Sequence, residues 1–238
     1  MKFSAANVSA LGGRTTNQDA SHAGGRLLVV ADGVGGAPAG EVASALAVQA
    51  VVEHGGEAPG TAASLANAAV RAHGREHPAT AGMGSTLDVA AMVRREGRWL
   101  VRGAHVGDSV VLVVATDIHP LTRAHTLADE LVAAGHLTPE EGARHPQRSA
   151  LMRAIGMEDQ VRPDLWERSA IPGERYLLCS DGLPNALGKG LHDLLFSLRK
   201  ATAAECANEL VRAAVEAGAR DNVTAVVGDV AGGAGWRS

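Results

Sequence analysis

Apolar residues gather in short unbroken runs along this chain, separated by turns rich in Gly, Asp and Asn. Residues 27–31 (LLVVA) form one such run, typical of a buried strand. Residues 39–53 then read as a helix, its start marked by Gly40 and Glu41, and a second, Ala-rich helix is predicted over about 61–76. From Ser85 the pattern changes. Residues 85–94, 98–106 and 109–116 are Val-rich and bounded by Gly or charged turns, which predicts consecutive antiparallel strands. Residues 127–145 are helical in pattern, with Pro139 and Glu140 opening a second short helix. Strands are predicted again at 163–169 and 175–180, helices at 190–198 and 202–217, and a last strand at 223–230. Adjacent strands with helices inserted at intervals favour an α+β sandwich over a doubly wound parallel sheet.

Length and composition narrow the classes. The 238 residues suit a single domain, residues 1–238, with no internal repeat or Pro/Ser-rich linker and with 231–238 expected to be a frayed Gly-rich tail. A net charge of −4 without a basic run, and 3% aromatic residues, argue against nucleic-acid binding. Cys179 and Cys206 cannot build a disulfide framework, and the N-terminus lacks an apolar signal segment. The longest apolar runs fall far short of a membrane span. A cytoplasmic protein is expected, and a monomer, because no heptad or large apolar stripe argues for a dimer.

The position of the aspartates carries most of the chemistry. Asp32 ends LLVVA and precedes Gly33; Asp108 sits in the turn between two Val-rich strands; Asp181 ends YLLCS and precedes Gly182; Asp221 precedes Asn222 and the last strand. Singly, each reads as turn chemistry, since Asp bonds its own backbone and Gly takes positive φ. Four together, each beside a stiff apolar strand, suit a metal site, which needs rigidly held donors. Hard cations such as Mg²⁺ and Mn²⁺ take oxygen ligands, and no His-x-His, Cys-x-x-Cys or His-Glu-x-x-His spacing favours zinc. Spacing alone says nothing about the substrate. Arg14 stands in a polar turn, GRTTNQD, that also holds Gln18 and Asp19; its planar guanidinium matches two phosphate oxygens, although a loop arginine is ordinarily only solvated.

At these residues the chain resembles the PPM family of metal-dependent protein phosphatases, the type-2C class, in its compact bacterial form. The resemblance runs in order from about residue 8 to 230 through RTTNQD, VADGVGGAPAGEVAS, GMGSTL, VGDS, Leu121-Thr122, MRAIG, LCSDGL and DNVT. It implies a four-layer fold of two packed antiparallel sheets flanked by helices. It implies a serine/threonine protein phosphatase in which a water bridging two Mn²⁺ or Mg²⁺ ions attacks phosphorus in line, opposing a bacterial serine/threonine kinase. By the same resemblance Asp32 bridges the two metals, the Gly33 carbonyl serves one of them, Asp181 and Asp221 complete the other, and Asp108 with Asp181 holds a third, weaker ion. Arg14 matches the phosphate-binding arginine, and about 123–150 corresponds to the variable flap that shapes substrate access. Gln18, Asp19 and Asn222 are expected to support these ligands.

Three positions depart from the family. Gln18 replaces a usual Glu, Val110 an Arg that often follows the Gly-Asp-Ser turn, and Val34 a His found in some members. The pairing of Gln18 with the Asp-Gly-Val-Gly-Gly turn is similar to phosphatases linked to bacterial type VI secretion. The departures keep a rival open, a phosphoprotein-binding regulatory module on the same fold with weakened turnover. Two others are weaker. Cys206 and Arg212 have cysteine-phosphatase spacing, but the five residues between are helical in pattern; and Asp-Gly-Val-Gly-Gly fails the dinucleotide fingerprint at Pro38. His73, His77, His136 and His145 read as solvated or capping, His105 as structural, and Trp99, Trp166 and Trp236 as packing anchors.

Overall fold

A run such as LLVVA can leave neither face to water, and the fold covers both. The computed structural model describes residues 1–232. In chain order the strands are β1 (Lys2–Ala10), β2 (Asp19–Ala23), β3 (Leu27–Asp32), β4 (Leu87–Arg95), β5 (Arg98–Val106), β6 (Val110–Val114), β7 (Ile118–Pro120), β8 (Asp164–Ser169), β9 (Arg175–Cys179) and β10 (Val223–Ala231). The α-helices are α1 (Gly40–His54), α2 (Pro59–Glu76), α3 (Leu127–Ala133), α4 (Pro139–Arg144), α5 (Gly182–Leu187), α6 (Gly190–Ser197) and α7 (Ala203–Glu216). Among the described residues the strands form two five-stranded antiparallel sheets, ordered β1-β10-β9-β6-β7 and β2-β3-β4-β5-β8.

Side chains alternate across each strand, so each apolar run serves two cores. Leu28 and Val30 of β3 meet Val111, Val113, Tyr176, Leu178 and Val226 between the sheets. Leu27, Val29 and Ala31 face the other way, onto Ala43, Ala47 and Val51 of α1 and Ala62 and Ala66 of α2. On the far side Leu177, Cys179 and Val227 pack against Leu183, Leu195, Cys206 and Leu210 of the C-terminal helices. The layers therefore run helix, sheet, sheet, helix, the α+β sandwich the sequence predicts.

Several elements differ from expectation. β1 and β2 fall in a stretch too polar to read as strands; both are sheet edges, half open to solvent, and β1 is held along its length by pairing with β10. Residues 85–106 do form a hairpin, but 109–116 does not continue it. The second edge of β5 is taken by β8, and the chain crosses at Gly107, φ 110°, so that β6 joins the other sheet. Short β7 and α5 carry too few residues to show a period. Ala231 belongs to β10; 233–238, with Trp236, lies outside the described residues. α7 holds Cys206 buried at the close of its first turn, directly after a Thr202–Glu205 capping box, while Arg212 pairs with Glu209 and Glu216 on its outer face, so the residues between them are helical and no phosphate-cradling loop joins the two. No described helix is long and apolar enough to cross a membrane.

Candidate active site

Both sheets end on the same side of the sandwich, and there the polar strand ends meet. A cavity of about 320 Å³ is lined by Arg14, Gln18, Asp32, Gly33, Thr86, Asp108, Asp181 and Asp221, among others. Residues from the second sheet (Asp32), from the crossing between sheets (Asp108) and from the first sheet (Asp181, Asp221) thus share one wall-to-wall space. Of the remaining residues singled out in the sequence, Asp19 and Asn222 stand behind that lining.

Backbone pairing explains why these positions are rigid. Asp32 N–H donates to Thr86 Oγ1 at 2.9 Å, and its carbonyl accepts from Thr86 N and Ser85 Oγ at 2.8 and 3.0 Å. Asp19 lies opposite Asp32 in the β2–β3 register, and its Oδ2 accepts from Ser180 Oγ (2.7 Å) and Thr224 Oγ1 (2.6 Å), stitching the second sheet to the first. Asn222 pins the Arg14 loop: it donates to the carbonyls of Leu11 and Thr16 and accepts from Gln18 N–H at 2.9 Å. Gly33 N–H donates to the Gln18 carbonyl at 3.0 Å, and a Cβ at Gly33 would sit on the Gly40 backbone. A Gly33→Ala variant should accordingly lose about 3 kcal/mol of stability by overpacking; urea unfolding that matches the parent would show the approach to α1 to be loose.

Electrostatically the site is anionic and strained. Burial, then repulsion from Asp19, Asp181, Asp108 and Asp221, holds the Asp32 carboxyl well above the carboxylate range. Asp181 is pushed up to about 7 by burial and then by Asp108, Asp221 and Asp19; Asp108 rises to about 6, mainly through burial. Asp19 is raised by burial, and its Oδ1 has no hydrogen-bond partner. Such crowding fits hard divalent cations: the donors are carboxylates, and among the described residues lining the cavity there is no His or Cys. As they stand, no three described side chains close on one point as a finished cage. Two of the four are turned to other donors, Asp221 to Arg14 Nη2 at 2.8 Å and Asp181 to Asn185 Nδ2 at 3.0 Å. Arg14 and Asp221 are 46% and 39% exposed, a setting in which an ion pair contributes under about 1 kcal/mol. A cation or an anionic ligand displaces it at small cost.

Asp108 is set by a second network. Thr86 Oγ1 and Ser109 Oγ are 2.8 Å apart, and buried His105 bonds Asp88 at 2.9 Å and the Arg123 carbonyl at 3.0 Å. Gly107 N–H donates to His125 Nδ1 at 3.2 Å, while its carbonyl accepts from His125 N–H at 2.7 Å. Burial lowers His125 to about 4, so it is neutral and its Nδ1 is free to accept. Residues 123–126 and 150–152 leave and return at this point, joined by Leu127 N to the Ala150 carbonyl and Met152 N to the His125 carbonyl. Between them lie α3 and α4.

Sequence reasoning missed several of these groups. Glu41 Oε2 lies 3.4 Å from Gln18 Nε2, a contact in which a Glu at position 18 would face a like charge. Ser180 and Thr224 belong to quoted motifs, but only the cross-sheet geometry reveals that they hold Asp19. His125 and Asp88 carry no local signal, since their partners come from distant segments.

Two antiparallel sheets joined face to face, with carboxylates gathered where strands of both end, define an α+β sandwich built around an oxygen-donor centre. The family model for protein phosphatase 2C matches residues 8–216. Serine/threonine protein phosphatase PstP of Mycobacterium tuberculosis is 39% identical over 226 residues, 91% of this chain and 43% of PstP. Protein phosphatase PhpP of Streptococcus pneumoniae is 34% identical over 228 residues, 89% of this chain and 90% of PhpP. The crystal structure of the PstP catalytic domain in complex with two manganese ions superposes with a TM-score of 0.84 at 34% identity, covering 97% of this chain and 99% of that one. This chain belongs to the protein phosphatase 2C family. It spans less than half the length of PstP and nearly all of PhpP.

Proposed function

We propose that this chain hydrolyses phosphoserine and phosphothreonine on proteins with two Mn²⁺ or Mg²⁺ ions as cofactor, reversing the work of a serine/threonine kinase. The carrying observation is the convergence of Asp32, Asp108, Asp181 and Asp221 with Arg14 on one open cavity. The manganese-bound PstP domain, similar along nearly its whole length, supports the reading. Asp32, the Gly33 carbonyl, Asp181 and Asp221 would hold the two ions, and Asp108 with Asp181 a third. When bound, the ions supply Lewis-acid polarisation of the phosphoryl oxygens and bring the pKa of water toward neutrality.

The chain's own groups do the rest. Arg14 exchanges Asp221 for the substrate and donates two parallel N–H bonds to phosphate oxygens, drawing off charge as the phosphorus–oxygen bond breaks. Asn222, Asp19 and the Gln18 backbone keep the arginine loop and the Asp32 strand end in register, so the substrate meets a site already organised. No His lines the cavity among the described residues to protonate the departing serine or threonine oxygen.

Phosphate release from a phosphothreonine peptide with Mn²⁺, with Mg²⁺ and with chelator tests the proposal; activity with either ion and none with chelator is expected. Peptide binding without release in every condition would favour the regulatory module, for which the neutral Gln18 beside Glu41 speaks. Arg14→Ala should lower kcat/KM about 10²–10³-fold, with Arg14→Lys recovering part of it, because a point charge replaces a fork. Equal rates for all three proteins would remove Arg14 from the phosphate site.

A further inference from the structure

The backbone of Gln18 is fixed from three directions. Its N–H donates to Asn222 Oδ1 at 2.9 Å, and its carbonyl accepts from Gly33 N–H at 3.0 Å and from Ser44 Oγ of α1 at 2.6 Å. The side chain lines the cavity beside Asp32 and Gly33 and also lies against the first turn of α1. Its place there depends on Gly40, where a Cβ would come within 2.9 Å of Gln18 Nε2. The next residue, exposed Glu41, sets its Oε2 3.4 Å from the same nitrogen and is not part of the cavity lining. Among the described residues this is the only hydrogen bond that the Gln18 amide makes.

We propose that Glu41 is a positioning residue for the cation site, holding Gln18 so that the amide oxygen, and not the amide nitrogen, faces the cavity. The inference rests on the metal-dependent phosphatase reading and adds a residue outside the cavity that prepares it for cations. An amide has two unlike ends, and a cation repels the N–H end. An ionised carboxylate has no hydrogen to give, so Glu41 accepts only from Nε2, and Oε1 on the other arm of the same carbon is left to the cavity. Without that acceptor nothing selects between the two ends, since the terminal torsion of Gln is broad and roughly two-fold. Oε1 is a hard, neutral oxygen of the kind that divalent ions and their waters take. Gln18 stands where the family resemblance leads to Glu, and the pair divides what one carboxylate would do: Gln18 offers the oxygen, and Glu41 supplies the negative charge behind it. A carboxylate at position 18 would need no such partner and would be repelled by it.

The test is a Mn²⁺ titration of the ion-free protein, read as the concentration that gives half the maximal rise in Tm. It compares the unaltered chain with Glu41→Ala, with Glu41→Gln, and with Gln18→Glu in the presence and absence of Glu41→Ala. Glu41 is exposed on the first turn of α1, so its replacement leaves both cores intact. Glu41→Ala should raise the half-saturating concentration about tenfold, the lower end of what loss of a ligand's supporting partner costs. Glu41→Gln still offers Nε2 an acceptor and should stay within about threefold of the unaltered chain. In the Gln18→Glu background, Glu41→Ala should change the value by less than about twofold or tighten binding, because the carboxylate there needs no orienting and is freed of a like charge. Equal losses for Glu41→Ala and Glu41→Gln, or the same loss in both backgrounds, would show that Glu41 acts through its charge alone and overturn its positioning role, as would unaltered binding by Glu41→Ala. If Mn²⁺ leaves the Tm of the unaltered chain unmoved, the metal-dependent reading itself falls, and the inference with it.

Discussion

Asp181→Asn is expected to make the ion-free protein more heat-resistant at pH 8 while reducing turnover by about 10²–10³-fold or more. The two effects share one cause. Burial and three neighbouring carboxylates move Asp181 from its ordinary 3.8 to about 7, so folding disfavours its charge. With a folded value above the unfolded one, the native state holds the proton more tightly. Stability is therefore retained below about pH 4 and drains away as pH climbs toward 7, beyond which the loss is complete. That displacement corresponds to about 4 kcal/mol at about 1.4 kcal/mol per pH unit, and water at this partly exposed carboxylate reduces it to about 2 kcal/mol. For a chain of this size the gain is about 4–8 °C in Tm at pH 8, shrinking at pH 5. Differential scanning fluorimetry in chelator at the two pH values, beside the phosphopeptide assay, measures both. A variant that melts no higher at pH 8, or that keeps its turnover, contradicts the crowding described for the cavity.

Adding Mn²⁺ to the unaltered protein should raise its Tm by about 5–10 °C. A free ion concentration a hundred times the dissociation constant contributes about 2.7 kcal/mol to the folded state, and each kcal/mol moves a chain of this length by about 2–4 °C. An ion held there would do more than bind; it would replace protons on carboxylates that repel each other. The rise should grow between pH 5 and pH 8, because Asp108 and Asp181 give up protons near about 6 and about 7 and each proton competes with the cation. Asp32→Asn should abolish most of it. Titration with Mn²⁺ and Mg²⁺, read by fluorimetry and reversed with chelator, provides the measurement. A pH-independent rise that survives Asp32→Asn would put the ion elsewhere.

How much of this could be read in advance depended on whether the cause was local. LLVVA, YLLC and VVLVV announced themselves because both faces of each strand are buried, so no polar residue interrupts the run. Asp32 and Asp181 follow the first two runs and Asp108 precedes the third, which placed candidate donors before any geometry was known. β1 and β2 stayed hidden because an edge strand is defined by its partner: KFSAANVSA is extended only because β10 lies beside it. The sheet change at Gly107 was invisible for a related reason, since a Gly-Asp-Ser turn looks the same whether the next strand folds back or crosses over. Within the site, Asp32, Asp108, Asp181, Asp221 and Arg14 were named from sequence, whereas Ser180 and Thr224, which grip Asp19 from the opposite sheet, become meaningful only once β9 and β10 lie next to β2.

The segment carrying α3 and α4 leaves and rejoins the body at a single knot around Gly107 and His125. A segment tethered in that way behaves like an interchangeable cassette: residues 127–149 can be shortened, lengthened or exchanged while the two threads that anchor them stay put. Changes within that segment can then leave untouched the ties that hold Asp32 and Asp19 at the carboxylate cavity.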